Sequence, residues 1–512
     1  MRNFLFFLAA ASLYGPVNIY AQDEREAYNL SNTTVQGTAR SIGFGGALGS
    51  VGGDFSAISV NPAGLGVYRS SELMFSPSLK INSATGNYLG TSSADNNVQF
   101  NINNFGVVFT NAPKGKRYER RDWKAVSFAM GMNRTADFNH DYSYTGVNRT
   151  SSATLAFVTN ANIDSNNKYN AGTLAYTGWE SYLINGYAGN YITAVPYQGG
   201  IQQLNSIKER GGINEYLFSL GGNYKEKLLL GAVVGIPSIN YEKNSNYSET
   251  LIASTVTNTD NFQTFTYNNV IKLNGTGINV KLGAIYKLTD FFRIGAAFHS
   301  PTVYNITDIN DYGITSVVGG STHAFSTAND LPQYQFNYSF ITPVKGVLSA
   351  TFILKNLGFI TADYEYVNYS TMHYKYPVGI DQGTGYSFQY EADQLNKTIK
   401  NTYQAASNIR VGAEIKLTKF FMVRGGAGYY SNPYINKEWG SSRLDLSAGL
   451  GFRSKSFFAD FAVVSSMYDG SEQPYSQIDY KYVLPVQTPV AIPVAKTSFI
   501  TNNVAFTVGV KF

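Results

Sequence analysis

The C-terminal segment alternates between two kinds of residue up to the last position of the chain. Phe506, Val508, Val510 and Phe512 share one face, while small or polar residues occupy the other. Side chains of a β-strand point alternately to its two faces, so this pattern predicts a strand with one apolar and one polar face. An edge strand of a soluble β-sandwich would show the same pattern, so other segments must decide between the two.

The same alternation recurs in earlier segments, which cover residues 292–299, 408–417 and 443–453. In each segment the apolar residues share one face, and charged residues or glycines share the other. A polar interior with an apolar exterior is typical of a barrel that spans a membrane. The sequence therefore predicts an all-β fold, an antiparallel transmembrane β-barrel of about fourteen strands.

Composition narrows the protein class in the same direction. Charged residues make up only 14% of the chain and aromatic residues 15%, yet the mean hydropathy is −0.16. Beyond the N-terminal segment no run is apolar for the roughly 18 positions that a spanning helix needs, which excludes a helical membrane protein. The absence of cysteine excludes disulfides and thiolate metal ligands. The net charge of +5 is spread thinly, so nucleic acid is not expected as a partner.

The N-terminus has the pattern of a secretory signal peptide. A short positive region at Met1-Arg2-Asn3 precedes an apolar run from Phe4 to Leu13, and Ile19-Tyr20-Ala21 offers a cleavage site. We therefore expect residues 1–21 to be removed on export. An exported chain of alternating strands predicts a location in the bacterial outer membrane, in contact with the lipid bilayer and lipopolysaccharide.

Connection lengths predict the orientation of the barrel. Short turns are expected near residues 225–227, 289–290, 355–357, 418–419 and 454–455, and long loops over 140–212, 244–275, 305–343, 371–405 and 468–499. Bacterial barrels have short periplasmic turns and longer extracellular loops, so the short turns are assigned to the periplasm. One predicted periplasmic turn, 111–122, is longer and rich in Lys and Arg.

The segment before the first predicted strand is too long to be a simple tail. It contains a Gly-rich stretch over 43–49 and then Asn61-Pro62-Ala63-Gly64. A phosphate-binding loop would need a following Lys-Ser/Thr or the dinucleotide-binding glycine spacing, and neither is present. Small residues and an Asn-Pro turn suit a compact segment inside a barrel. We therefore divide the chain into a signal peptide (1–21), an N-terminal hatch or plug (22–70) and a barrel with long extracellular loops (71–512).

Two sets of residues are candidates for ligand contact. An apolar cluster inside the otherwise polar loop 140–212 is a candidate ligand groove: Leu174, Trp179, Tyr182, Leu183 and Ile184. The same side chains could instead pack the loop onto the barrel rim. Alternation also points Arg293, Arg410 and Arg424 into the lumen, where each could bind an anionic ligand or pair with inward acidic residues.

No arrangement of residues indicates catalysis. The four histidines are His140, His299, His323 and His373, and neither a G-x-S-x-G element nor a His-Glu-x-x-His metal motif is present. We therefore predict that the chain is not an enzyme and that it has no metal site and no cofactor.

Several short motifs occur in a characteristic order: Ala39-Arg40, Asn61-Pro62-Ala63, Gly277-Ile278-Asn279, Arg424-Gly425-Gly426 and the terminal Phe512. In this order of motifs the chain resembles the FadL/TodX family of outer-membrane transporters for long-chain fatty acids and hydrocarbons. Within that family it resembles a Bacteroidetes-type member. The resemblance implies a fourteen-stranded barrel plugged by the hatch, with sideways release through a lateral gate at a kinked third strand. That gate would fall at Gly131, Met132, Asn133 and Arg134. The terminal Phe512 also resembles the signal that the barrel-assembly machinery recognises.

The sequence thus predicts an outer-membrane channel for passive uptake of hydrophobic small molecules, such as long-chain fatty acids or aromatic hydrocarbons. Relatives of that family leave two alternatives open. One is a PorV-like shuttle in protein secretion, and the other is a haemin-binding receptor, for which the 39 Tyr offer axial ligands. A hydrophilic porin is disfavoured because a hatch of this length would obstruct the channel.

Overall fold

The structure is a computed structural model that describes residues 24–34, 36–163, 165–169, 173–252, 256–330, 335–380, 386–475, 478–483 and 489–512. The predicted signal peptide, residues 1–21, lies outside these ranges. No helix within them is both long enough and apolar enough to cross a membrane.

Strands dominate the described residues, and all but β5 and β6 belong to one continuous sheet. The strands are β1 (Glu72–Tyr88), β2 (Thr91–Asn111), β3 (Trp123–Asp137), β4 (His140–Asn148), β5 (Ile184–Tyr187), β6 (Asn190–Thr193), β7 (Ile201–Tyr224), β8 (Leu228–Leu251), β9 (Thr264–Lys287), β10 (Phe292–His299), β11 (Val303–Val318), β12 (Ser321–Ser326), β13 (Gln335–Ile341), β14 (Lys345–Ile353), β15 (Gly358–Asn368), β16 (His373–Lys375), β17 (Ala405–Lys416), β18 (Phe421–Tyr430), β19 (Arg443–Arg453), β20 (Phe457–Glu472) and β21 (Ala495–Lys511).

The sheet closes into a barrel because its first and last strands pair with each other. β1 and β21 are antiparallel partners from Glu72↔Lys511 to Asn87↔Lys496. Following the hydrogen-bonded neighbours round the ring gives fourteen spanning strands, of which β3–β4, β10–β11, β13–β14 and β15–β16 are each broken into two pieces. The prediction of a fourteen-stranded antiparallel barrel is confirmed.

Side chains alternate across the wall as the sequence predicts. In β17, Ile409 and Val411 are exposed on the outer face, whereas Arg410 and Glu414 are buried on the inner face. The same holds for β19 and β21. The outer face therefore suits hydrocarbon and the inner face suits a polar lumen.

The two ends of the barrel differ in their connections. At the end where β1 begins and β21 stops, five turns have only three or four residues each, and we call this the turn end. The other end, the loop end, carries the longer connections, apart from the two-residue turn Leu89-Gly90 between β1 and β2. The long connections are shorter than predicted. Residues 140–148, 201–212 and 303–318 are strand rather than loop. The prediction was wrong there because these extensions carry polar residues on both faces, so the apolar alternation fades while backbone pairing continues.

The helices of the described residues are short: α1 (Glu24–Ser31), α2 (Ala39–Gly43), α3 (Ala57–Val60), α4 (Lys116–Arg120), α5 (Thr154–Ile163), α6 (Leu174–Glu180), α7 (Thr327–Asp330) and α8 (Phe388–Thr402). The first three, with the 3₁₀ turn Pro62–Val67, contact the inner faces of the wall strands. One example is the Ala39 N–H, which donates to Thr507 Oγ1 at 2.7 Å. We refer to residues 24–70 as the hatch segment. The connection 149–200, which holds α5, α6, β5 and β6, forms a cap at the loop end.

Candidate functional site

The Asn61-Pro62-Ala63-Gly64 motif fastens the hatch segment to the wall. The Asn61 side chain is fully buried, and its Nδ2 donates towards the carbonyl oxygens of Gly49 at 2.6 Å, Ala284 at 3.2 Å and Ala296 at 3.3 Å. Its Oδ1 accepts from the Ala63 N–H at 3.1 Å, which caps the 3₁₀ turn. One side chain therefore links two parts of the hatch segment to β9 and β10.

Wall glycines allow this close approach. A Cβ atom on Gly283 would overlap the Asn61 side chain, and one on Gly231 would overlap the backbone of Pro62. On a different part of the wall, a Cβ atom on Gly412 would overlap the Phe44 carbonyl oxygen. The barrel therefore lacks side chains where the hatch backbone lies against it.

Ion pairs tie the hatch segment to the wall as well. Arg40 Nε lies 3.0 Å from Glu414 Oε2, and Arg424 Nε lies 2.8 Å from the same oxygen. Arg424 also reaches Asp460, with Nη1 at 2.7 Å from Oδ1. The predicted lumen cation Arg424 thus belongs to a buried network that joins α2 to β17, β18 and β20.

The other two predicted lumen cations, Arg410 and Arg293, also contact the hatch segment or a residue that binds it. Arg410 lies 3.3 Å from Glu365 and 3.7 Å from Asp363, and Asp363 accepts the Gly49 N–H at 3.1 Å. Arg293 Nη1 donates to the Val51 carbonyl oxygen at 3.4 Å. In the described part of the chain, no carboxylate lies within 4.0 Å of Arg293.

The barrel wall has an unpaired strand edge where β2 lies beside β3 and β4. β2 pairs with β3 only from Asn104↔Asn133 to Asn111↔Val126; its residues 91–102 pair with β1 alone, and Asn103 lies at a bulge. β3 ends at Asp137, and the strand that follows it, β4, pairs only with β7. We call this unpaired edge of β2, residues 91–103, and the facing β4 the seam.

Side chains rather than main-chain hydrogen bonds hold the end of β3 and β4 at the seam. Asn101 Nδ2 donates to Asp137 Oδ2 at 2.8 Å, and Ser143 Oγ donates to Asp95 Oδ2 at 2.7 Å. β4 lies against the inner face of the β1–β2 hairpin, since a Cβ atom on Gly86 would overlap the Ser143 carbonyl oxygen. The wall is therefore closed here because β4 overlaps the β1–β2 hairpin, and a few polar side-chain contacts hold the two together.

The predicted gate residues lie where the seam begins. Gly131, Met132 and Asn133 are still paired with β2, and Asn133 is the last residue of β3 to be so. The pairing of β3 with β7 shifts register just after Arg134. The Arg134 side chain fixes this irregular stretch, because its Nε donates to Asp137 Oδ2 at 3.0 Å and its Nη2 to the Gly211 carbonyl oxygen at 2.7 Å.

A cavity of about 300 Å³ lies in the lumen on the inner side of the seam. Lys80, Asp137 and His140 line it at the seam, where Lys80 Nζ is 2.7 Å from Asp137 Oδ1 and 3.4 Å from His140 Nε2. Many other lining residues are aromatic: Tyr28, Tyr142, Tyr241, Trp439, Tyr468 and Phe499. Charged residues are also part of the lining: Arg25, Glu26, Glu209, Lys243, Arg443, Asp469 and Glu472. Such a lining suits a ligand that has both an apolar body and polar groups.

The cap places the predicted groove residues in two different environments. Leu174, Leu183 and Ile184 are buried in the hydrophobic core of the cap, so they pack the cap rather than line an open groove. Trp179 and Tyr182 remain accessible, with 36% and 55% of their surface exposed. Lys168 Nζ lies 4.6 Å from the centre of the Trp179 ring.

Sequence reasoning missed the polar residues at the seam. Lys80 could have been found, because it occupies an inward position in the alternation of β1, between the buried Ser78 and Asn82. Asp137 and His140 gave no such signal, since they flank a break between strands. No group of three potential metal ligands forms among the residues that the structure describes.

Two solved structures are similar to this barrel over nearly its whole length. A Pseudomonas aeruginosa FadL homologue matches with a TM-score of 0.54 at 12% sequence identity, and the match covers 94% of this chain and 100% of that one. The P. putida toluene transporter TodX matches with a TM-score of 0.51 at 12% identity, covering 94% of this chain and 99% of that one. The chain has the FadL-type barrel fold.

Comparisons of sequence alone do not reveal the FadL-type fold. No family model matches the chain, and no curated protein matches it either. At 12% identity the structural likeness therefore establishes the FadL-type fold alone.

Proposed function

We propose that this chain is an outer-membrane channel through which hydrophobic small molecules, such as long-chain fatty acids or aromatic hydrocarbons, pass without an energy source. The seam carries this proposal. Backbone groups at membrane depth must be bonded within the protein or line a cavity. Val98 and Phe100 point outward from the unpaired edge of β2 with 63% and 64% of their surface exposed, as lipid-facing side chains do. An unpaired edge at that depth is best explained by a passage.

The proposed route passes beside the first part of the hatch segment, whose Tyr28 lines the cavity, and leaves the barrel at the seam. Trp179 and Tyr182 on the cap capture the ligand, which then enters the cavity beside the seam and leaves sideways between β2 and β4. Partitioning drives the movement, because apolar solutes gain free energy on leaving water for hydrocarbon. The toluene transporter of the same fold supports a hydrophobic ligand for this chain.

The lateral gate is proposed at Gly131, Met132, Asn133 and Arg134. β2–β3 pairing ends at Asn133, and Arg134 anchors the irregular stretch that follows, so rearrangement here would move β4 away from the hairpin. Opening would require breaking the Asn101–Asp137 and Ser143–Asp95 hydrogen bonds, each of which contributes about 1.5–3 kcal/mol net because its acceptor is a carboxylate.

The remaining expectations concern location and partners. The turn end would face the periplasm and the loop end the cell exterior, within a membrane that carries lipopolysaccharide. Residues 1–21 would direct export. Phe512, exposed beside the turn end, would be available to the barrel-assembly machinery. No catalytic step or cofactor enters this proposal.

Uptake by whole cells tests the function. The full chain is expressed in bacteria that lack their own fatty-acid channel, and entry of a labelled long-chain fatty acid and of a labelled hydrophilic sugar is measured. We expect the fatty acid to enter and the sugar to stay out. Entry of both would show that the hatch segment is no plug. Entry of neither, from a folded and surface-exposed barrel, would favour the shuttle or haemin-receptor alternatives.

A further inference from the structure

The connection between β2 and β3, residues 111–122, differs from the other turns of the turn end. Its five basic side chains outnumber its two acidic ones, and all five are exposed: Lys114, Lys116, Arg117, Arg120 and Arg121. None of these five forms an ion pair within 4.0 Å in the described residues. We call this connection the basic turn.

The basic turn is held in place by the barrel. Tyr118 Oη donates to Glu226 Oε1 at 2.5 Å, and Lys124 Nζ donates to the Tyr118 carbonyl oxygen at 2.7 Å. The Lys225 N–H donates to the Asp122 carbonyl oxygen at 2.8 Å. The five free charges therefore occupy a defined position on the rim.

Neighbouring aromatic residues give the depth of the basic turn in the membrane. Trp123 follows the turn directly, and 46% of its surface is exposed. Other exposed aromatic residues lie at the same end of the barrel: Tyr286, Phe291, Phe352, Phe420, Phe421 and Phe457. Aromatic girdles of this kind mark the interface between hydrocarbon and headgroups. The basic side chains thus lie at headgroup level.

An apolar groove of about 800 Å³ runs along the outer wall from Trp123. It crosses β3, β7, β8, β9 and β10, and large side chains such as Val126, Leu282 and Phe298 line it beside smaller ones such as Ala284 and Ala296. Because the groove opens towards hydrocarbon, acyl chains are the groups that would fill it.

We infer that the basic turn and the groove together bind an anionic phospholipid of the leaflet at the turn end. The headgroup phosphate meets the basic side chains, and the acyl chains lie in the groove beside Trp123. Clustered Lys and Arg at a membrane surface attract anionic lipids, and this attraction weakens with salt. An acidic soluble protein would satisfy the charge but not the groove. The site is separate from the transport route and does not depend on it.

Fluorescence of Trp123 tests the inference at the site itself. The chain has 3 Trp, so Trp179→Phe with Trp439→Phe leaves Trp123 as the sole reporter. This full-length protein is reconstituted in phosphatidylcholine vesicles that contain a minor fraction of either dibrominated phosphatidylglycerol or dibrominated phosphatidylcholine. We expect the brominated phosphatidylglycerol to quench Trp123 by about twofold more than the brominated phosphatidylcholine.

Charge removal and salt provide the controls. Replacing all five free basic residues of the basic turn by Gln should make the two lipids quench equally. Five exposed lysines of the loop end serve as the matched control, because their replacement by Gln should preserve the preference: Lys375, Lys397, Lys400, Lys437 and Lys481. Should the first variant not fold, high salt should remove the preference in the unsubstituted turn. Equal quenching before any charge is removed, or a preference that survives both treatments, would overturn the inference.

Discussion

Asn61 shows how one side chain positions the hatch segment. Its amide lies within hydrogen-bond distance of three carbonyl oxygens, two of them on wall strands, and it is fully buried. Removing a donor leaves buried acceptors unsatisfied, so Asn61→Ala should lower the free energy of unfolding by about 1–3 kcal/mol. Urea unfolding of the refolded protein in detergent would measure this. Asn190→Ala, which removes one exposed hydrogen bond in the cap, is the control. Equal losses in both variants would contradict the anchoring role.

Glu226 is expected to give the turn end a pH dependence. Partial burial alone would raise the pKa of this carboxyl, but hydrogen bonds from Tyr118 and Lys287 and the charges of Lys287 and Arg69 lower the pKa to about 2. Because the pKa is lowered in the folded state, the stabilisation is complete above the ordinary value of 4.5 and disappears as the pH falls towards 2.

The comparison of Glu226→Gln with the unmodified protein tests this dependence. The variant should be less stable by no more than about 1 kcal/mol at neutral pH, as expected for a partly exposed ion pair. The difference should shrink as the pH falls from 4.5 towards 2. Urea unfolding at several pH values measures it, with the exposed Glu242→Gln as the control. A difference that stays constant over this range would contradict the assignment.

The sequence supports part of this residue-level account. The Asn-Pro motif predicts a rigid turn inside the barrel, and alternation places Arg424 and Glu414 on the inner face. The acceptors of Asn61 on Ala284 and Ala296 could not be predicted, because they lie more than two hundred positions away and are main-chain atoms. The same applies to the pairing of Arg40 with Glu414.

At the level of strands and helices, the sequence best predicts the strands that have an apolar outer face. β17, β19 and β21 alternate clearly because apolar side chains are exposed on their outer faces and polar or small ones face inward. The seam gave no comparable signal. Only the strand registers show that the first part of β2, up to Asn103, is not paired with β3.

The hatch segment should be separable from the barrel. The sheet closes through β1 and β21, and no described residue of the hatch segment belongs to a strand of that sheet. One main-chain hydrogen bond, from the Thr34 N–H to the Thr135 carbonyl oxygen at 3.0 Å, links the hatch segment to β3. Deleting Asn61 to Gly64 should therefore displace the hatch segment and leave the wall intact. We expect severalfold faster entry of a small hydrophilic sugar in cells that carry this deletion. Heat-modifiable migration on gels checks that the barrel is folded. Loss of that migration would show that the hatch segment is needed for the wall.

The molecule as a whole combines a filled lumen with a weakly closed side wall. Ion pairs and the Asn61 contacts hold the hatch segment inside the barrel, whereas the seam depends on side chains such as Asn101 and Ser143. In the proposed channel this arrangement would favour apolar ligands, since a hydrophilic solute would have to leave through hydrocarbon. The overall fold was predictable because alternation, turn lengths and motif order agree.

A disulfide across the seam tests sideways release most directly. The chain contains no Cys, so Asp95→Cys with Ser143→Cys introduces a single pair of thiols. In the unmodified protein, Ser143 Oγ lies 2.7 Å from Asp95 Oδ2. Ser83→Cys with Asn96→Cys is the matched control, because it joins two strands that are already paired. We predict that oxidation of the seam pair abolishes uptake of labelled fatty acid, that a reducing agent restores it, and that the control pair has no effect. Undiminished uptake through a fully cross-linked seam would contradict sideways release.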